Sequence, residues 1–429
     1  MQLILLFCLL FCNFVFAEEL KQTANSIKFS SEIELLYGIN QESYSKERKP
    51  ENARVLGEFN IINNEFINEN SENKIGLALK INLNTSNSAS PLQIKEFNLF
   101  TALEGAGGRI LGFQQPITSK FIVNTSTFSG VNGGVNGKWQ NFITFPFKGE
   151  NNQETSSFFI TKASLPMQNG LGNGAFLQKS NEGVAFQSFE GAGESGIGIS
   201  YVSNRSENGL RFGITLLANN KNNLEIGKTN ESIDLKGYSV NLNKEDYLKN
   251  IIGTGFNYYN VFNNIETSFS LLYEHASIES LTREKENLNA YLIGFNIGYL
   301  GFMVGGSFAN YGSSFKIKNS HIQENQVLGN NVSFQNGNLE DVNYNYVYDV
   351  GVGYSLSAYT ASFSFLQSRF ASNKFRAWGF SFEVNPKKNL YTYFSLMRYM
   401  FNPSMQAENQ IIQESFANNI LTFGIQYKL

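Results

Sequence analysis

The sequence predicts a single antiparallel β-barrel whose strands cross a bilayer. Three observations carry that expectation. First, the 429 residues include 38 glycines, 39 phenylalanines and 20 tyrosines, and 16% charged residues, where an average soluble domain has about 25%. Second, segments of about ten residues alternate apolar with small or polar side chains, the length of a tilted membrane strand. Third, the connections between segments alternate between tight turns and long polar loops. Outside 3–17 no apolar run approaches the roughly 18 residues of a spanning helix. A net charge of −3 provides no basic footprint for nucleic acid.

The chain opens with a leader. Residues 3–17 read LILLFCLLFCNFVFA, and Glu18-Glu19 follow. An apolar core ending in Val15-Phe16-Ala17 resembles a secretory signal cleaved after Ala17, which leaves 18–429 as the barrel domain. Both cysteines, Cys8 and Cys12, lie inside the leader, each preceded by Phe, so a lipid-anchoring cysteine is rejected. The mature chain then has no cysteine. That is unusual for an exported protein, but a closed sheet needs no covalent staple.

About sixteen strands are expected, at 26–39, 53–62, 74–84, 93–103, 109–114, 180–189, 196–203, 249–261, 264–276, 287–299, 302–311, 342–354, 358–370, 375–385, 389–401 and 418–429. The first sets Ile27, Phe29, Ile33, Leu35, Tyr37 and Ile39 against Lys28, Ser30, Glu32 and Glu34. The third sets Ile75, Leu77, Leu79, Ile81 and Leu83 against Lys74, Gly76, Ala78, Lys80 and Asn82. The strand at 342–354 lines up Tyr344, Tyr346, Tyr348, Val350, Val352 and Tyr354 opposite Asn345, Asp349, Gly351 and Gly353. The last sets Leu421, Phe423, Ile425, Tyr427 and Leu429 against Thr422, Gly424, Gln426 and Lys428. This is period 2 throughout.

A sandwich core would alternate too. Here the polar face is rich in Gly, Ser and Asn, as in a wet lumen. Aromatic residues also cluster near segment ends (Tyr258-Tyr259, Tyr391 with Tyr393, Tyr399 with Phe401, Tyr427), as girdles at two interfaces would. Tight turns are read at Asn263-Asn264, Leu300-Gly301, 355–357 and 386–389, and long loops at 312–341 and 402–417. The segment 209–219 looks strand-like but falls outside this scheme. It is read either as part of an external hairpin or as a ninth pair giving eighteen strands.

The search for chemistry returns almost nothing. His275 and His321 have no second His or Cys nearby, so no metal site is expected. The stretch 191–196, GAGESG, matches a dinucleotide pattern but is followed by a strand rather than a helix, and is read as a turn. No phosphate loop and no serine elbow occurs. No catalytic residue and no cofactor is expected.

Charge on the polar face is the better clue. By parity Lys28, Arg54, Lys74 and Lys80 point inward, beside Glu32, Glu34 and Glu58; further round Glu266, Glu274, Asp349 and Glu383 do the same. Lys or Arg facing lipid near the midplane costs about 2–4 kcal/mol, so the lumen is the natural place for them. The basic set with Glu32, Glu34, Glu58, Glu266 and Asp349 is therefore expected to line a pore. The connection from Gln115 to about Lys179 is rich in Phe, Asn, Gly and Thr and too aromatic to lie in water. Its part at about 116–150, with Lys120, Asn124 and Lys138, is expected to fold into the barrel as a constriction facing Arg54, Lys74 and Lys80. Two other arrangements stay open: a field between Lys120 or Lys138 and Glu32, Glu34 and Glu58, or purely steric narrowing by Asn and Thr. An external flap is the alternative to an inward loop.

These residues resemble a known family. The run 104–113 (EGAGGRILGF), the Gly-rich stretch 130–139, the runs 179–202 and 251–312 and the terminal LTFGIQYKL are similar to Gram-negative general-diffusion porins, above all those of alphaproteobacteria. The resemblance implies a sixteen-stranded barrel in the outer membrane, in contact with its lipid. It further implies a homotrimer with the third external loop folded inward, passing ions and small hydrophilic solutes. Such chains usually end in Phe, whereas this one ends in Leu429. Two other readings are carried: an adhesin or structural barrel with a blocked lumen, and a substrate-specific porin of eighteen strands.

Overall fold

The computed structural model describes residues 27–40, 51–66, 74–84, 92–103, 107–129, 134–143, 163–165, 175–180, 183–188, 196–206, 208–218, 247–279, 286–314, 345–370, 373–402 and 415–429. The expected leader, His321 and the later part of the long connection, with Glu150 and Glu154, lie outside the described residues. The strands are β1 (Ile27–Asn40), β2 (Glu51–Phe66), β3 (Lys74–Asn84), β4 (Leu92–Leu103), β5 (Gly107–Gln114), β6 (Ala175–Ser180), β7 (Gly183–Ser188), β8 (Gly196–Val202) and β9 (Leu210–Leu217). They continue as β10 (Tyr247–Phe262), β11 (Ile265–Glu279), β12 (Leu288–Tyr299), β13 (Phe302–Asn310), β14 (Tyr346–Leu356), β15 (Tyr359–Phe370), β16 (Asn373–Lys387), β17 (Leu390–Asn402) and β18 (Phe416–Lys428).

Sixteen of these close one antiparallel barrel, with β8 beside β5 and β18 beside β1, while β6 and β7 form a separate two-stranded sheet. The count agrees with the sequence, but its membership differs. The expected strand at 180–189 is not in the barrel; β9 takes that place, pairing with β8 and β10. The eighteen-stranded reading is thereby overturned. The physical reason is visible in the pattern. In β9, Leu210, Phe212, Ile214 and Leu216 make an unbroken exposed apolar row. The stretch 180–189 offers only Val184 and Phe186 in one row, too little apolar surface to face lipid.

The turns joining β10 to β11 and β12 to β13 hold Asn263 and Asn264, and Leu300 and Gly301, all at positive φ. That suits two-residue hairpins whose twist matches the strands. These turns, with 203–209, 357–358, 388–389 and both barrel ends, define a turn rim; the long connections define the opposite loop rim. The parity is cleanest in β12. Leu288, Ala290, Leu292, Gly294, Asn296 and Gly298 are buried, while Tyr291, Ile293, Phe295, Ile297 and Tyr299 are exposed on the outside. Aromatics band both outer edges. Phe302 meets Tyr354 at 4.3 Å between ring centroids toward the turn rim, and Phe308 meets Tyr346 at 6.2 Å toward the loop rim. A closed sheet with this exterior leaves no unpaired edge and presents hydrocarbon to hydrocarbon. One expected girdle element is corrected: Tyr393, Tyr399 and Phe401 face inward and are buried.

Candidate functional site

The connection after β5 enters the barrel and runs as a belt along its inner wall. It carries three short 3-10 turns, Ile117–Lys120, Thr125–Thr127 and Lys138–Phe142. Asn124 caps the second: its side chain accepts from the Ser126 backbone N–H at 3.0 Å and donates to the Ala163 carbonyl at 2.8 Å. Moving along the belt, one loop group after another meets one strand after another. The Ile117 N–H donates to Thr215 on β9 at 2.8 Å, and Thr118 donates to Glu274 on β11 at 2.6 Å. The Val123 N–H donates to Ser270 at 3.2 Å, and Asn296 on β12 donates to the Asn124 carbonyl at 3.2 Å. The Gly134 N–H reaches Ser381 on β16 at 3.0 Å. Trp139 packs on Tyr399 of β17 at 6.3 Å, and Asn40 of β1 donates to the Phe142 carbonyl at 2.9 Å.

Two carboxylates pin the belt. Asp349 accepts from the Thr125 N–H and hydroxyl, from Asn136 at 2.9 Å and from Ser307 at 2.6 Å. Glu34 accepts from Lys138 and from Tyr393. The aromatic content of the loop goes into the same packing: Phe121, Phe128, Trp139 and Phe142 are buried against wall residues such as Leu36, Phe375 and Tyr399. Burying each large apolar side chain contributes about 1.5–3 kcal/mol. The belt is thus an apolar layer fastened by polar groups at both edges.

Glycines on the wall make the room. A Cβ at Gly213 would stand 2.8 Å from Ile117, one at Gly353 2.9 Å from Phe128, and one at Gly294 would run into the Val123 carbonyl. This corrects the reading of the small-residue face as simply a wet lumen: on these strands it is a seat for the loop. Gly294→Val should therefore lift the belt at Val123 and raise single-channel conductance. Unchanged conductance would mean that the loop does not bound the pore there.

Part of the inner wall keeps exposed charge among the described residues. On β2 and β3, Lys80 pairs with Glu58 at 2.8 Å, and the two side chains keep 26% and 37% exposure. Lys120 projects from the belt to within 3.7 Å of Glu96 on β4. Arg54 lies over the Phe142 ring at 5.4 Å, where the belt ends. On the far side Arg211 of β9 lies over Phe121 at 4.7 Å. Arg205, from the turn rim, donates to Asn257 at 3.0 Å. Among the described residues the exposed inner charges thus include the Lys80–Glu58 pair on β3 and β2, Lys120 on the belt and Glu266 on β11.

No family model matches the chain, and no curated protein is similar to it in sequence. Solved structures are. An anion-selective porin from Comamonas acidovorans superposes with a TM-score of 0.53 at 11% identity, covering 94% of this chain and 99% of that one. The Salmonella typhi OmpF complex with daunomycin has a TM-score of 0.54 at 10% identity, covering 94% and 97%. The outer membrane channel DcaP of Acinetobacter baumannii has a TM-score of 0.50 at 9% identity, covering 94% and 97%.

The fold is that of a porin.

Within this porin fold the residues singled out from sequence take distinct places. Lys28, Arg54, Lys74, Lys80, Glu32, Glu58 and Glu266 face inward by register. Glu32 pairs with Lys428 at 3.7 Å and accepts from Gln426. Glu34, Glu274 and Asp349 also face inward but are buried under or against the belt, at 1%, 0% and 0% exposure. Lys120 and Lys138 lie on the belt, near Glu96 and Glu34. Residues 116–129 and 134–143 lie inside the barrel; the rest of the expected 116–150 constriction is outside the described residues. Of the three basic residues expected to face it, Arg54 meets the described part of the belt, over the Phe142 ring. His275 lies on the outer face and pairs with Asn289 at 2.8 Å.

Two inward groups escaped the sequence reading. Arg211 lies in 209–219, which the sequence leaves between an external hairpin and a ninth strand pair; its inward register follows from the pairing of β9 with β10. Glu96 follows a bulge in which the register against β3 shifts between Lys80 and Ile81. A bulge reverses parity, and nothing in the run LQIKEFNLF announces it.

Proposed function

We propose that the protein is a passive, water-filled channel for ions and small hydrophilic solutes in the outer membrane of a Gram-negative bacterium. The observation that carries this reading is the belt. Among the described residues a loop is fastened along the wall from β9 to β2, and a sixteen-stranded barrel encloses more space than its wall side chains occupy, which supports a narrowed, water-filled lumen. The exposed Lys80–Glu58 pair and Lys120 supply polar lining. On this reading Lys28, Arg54, Lys74, Lys80, Glu32, Glu58 and Glu266 line the pore or its mouths, and Lys120 and Lys138 belong to the constriction. Glu34, Asn124, Glu274 and Asp349 hold the loop in place. The channel performs no chemistry and uses no cofactor.

The finer assignments belong to the same proposal. The sequence runs quoted above support an alphaproteobacterial type and a homotrimer. The apolar segment at 3–17 supports a leader removed after Ala17, so the exported protein should begin at Glu18. A full-length amino terminus on the membrane-inserted protein would overturn the leader. The test of function is swelling of liposomes carrying the purified protein in small sugars, together with planar-bilayer conductance. Swelling that falls with sugar size and a steady single-channel current are expected. Absence of both would replace the channel with a blocked barrel that serves adhesion or structure.

A further inference from the structure

No carboxylate with a described side chain stands on the outer face of any barrel strand. Glu32, Glu34, Glu58, Glu96, Glu266, Glu274, Asp349 and Glu383 all fall in inward register. Cations do stand outside, and four of them are gathered in one place. Arg369 on β15 is directly opposite Lys374 on β16, and Arg376 and Arg398 flank Trp378 on β16 and β17. Their inward neighbours Ser368, Phe375, Ala377 and Tyr399 are buried, which places the four basic side chains on the outer surface. They sit at the loop rim; next along β16 come Trp378, Phe380 and Phe382 on the lipid side.

This placement runs against two tendencies. Like charges directly opposite each other on neighbouring strands destabilise a sheet. A lysine or arginine on the lipid face is tolerated only near the interface, where its cost falls to about 0–1 kcal/mol. The neighbours the structure shows for two of the four cations are not acidic. Arg376 donates through Nε to Gln367 at 2.9 Å, Gln367 donates to Tyr346 at 3.3 Å, and the Arg398 guanidinium lies over Trp378 at 5.9 Å. Such contacts hold the side chains at headgroup height without neutralising them.

We propose that this face of β15, β16 and β17 binds a phosphate-bearing lipid of the outer leaflet, its headgroup anchored by Arg369, Lys374, Arg376 and Arg398 and its chains lying along Phe380 and Phe382. A multivalent phosphate headgroup bridges opposed cations, and guanidinium groups match phosphate oxygens in a bidentate fork. The inference rests on the barrel lying in a membrane and not on its conducting solutes, so its failure and failure of the channel reading are separable.

The test is native mass spectrometry of the folded full-length protein with a bisphosphorylated glycolipid (lipid A), the same lipid with its phosphates removed, and inorganic phosphate as competitor. Each basic residue at a membrane surface multiplies anionic-lipid binding by about fivefold. The fourfold variant R369Q/K374Q/R376Q/R398Q should therefore retain the bisphosphorylated lipid roughly several hundredfold more weakly, while Arg109→Gln at the turn rim and Lys374→Arg should retain it unchanged. If the fourfold variant gives no heat-modifiable folded species, Lys374→Gln alone should weaken retention about fivefold. The proposal is overturned by equal retention of the dephosphorylated lipid, by unaltered retention in the variants, by displacement with equimolar inorganic phosphate, or by a charge-dependent association of barrels through this face.

Discussion

Deleting residues 424–429 is expected to abolish the folded barrel altogether. In the closed sheet these residues pair with Glu32 to Leu36 of β1 on one side and with Leu390 to Tyr393 of β17 on the other. Without them two facing edges lose their partners inside the hydrocarbon, where no water can replace a lost hydrogen bond. Each unsatisfied backbone group there costs several kcal/mol, and several such groups together exceed the about 5–15 kcal/mol that usually holds a fold together. The deletion also removes Gly424, against which the Tyr393 ring packs, and so loosens the Tyr393–Glu34–Lys138 chain that fastens the belt. The measurement is the heat-modifiable shift in electrophoretic mobility that marks a folded barrel. A folded species of normal mobility from the truncated chain would show that closure does not depend on this strand.

Asp349→Ala is expected to release the belt while leaving the barrel closed. Four donors converge on this carboxylate: the Thr125 N–H and hydroxyl, Asn136 and Ser307. Leaving a buried donor without an acceptor costs about 1–3 kcal/mol. With several left at once, the loss is large beside the stability of one loop and small beside that of the closed sheet. Planar-bilayer recordings should show larger and noisier conductance, and the heat-modifiable mobility of the barrel should persist. A quiet channel of unchanged conductance would mean that the neighbouring fastenings at Ser270, Ser381 and Glu34 hold the loop without Asp349.

The two variants probe parts of the molecule that differ in how they could be read from the chain. The terminal strand was plain in sequence because Leu421, Phe423, Ile425, Tyr427 and Leu429 repeat every second residue, and lipid on one side enforces that repeat. The inward direction of Asp349 followed from the same parity. Its service to the loop did not, because Thr125 lies more than two hundred residues away in the chain and no local pattern couples them. The expected basic face opposite the loop lies equally beyond the reach of a local pattern. Parity can place Lys74 and Lys80 inside, but it cannot say which part of the inner wall a loop will follow.

From the chain alone came what depends on one strand and its solvent: the barrel, a count of about sixteen strands, the two rims, most inward charges and the expectation that an aromatic loop turns inward. These are period-2 and composition effects, set by lipid outside and space within. Only the tertiary structure decided that β9 belongs to the barrel and β6 and β7 do not, since membership depends on neighbours that complete each other's hydrogen bonds. It also decided that Gly213, Gly294 and Gly353 seat a loop. A missing side chain reads the same in sequence whether water or a backbone fills the room it leaves, and only the fold brings that backbone there.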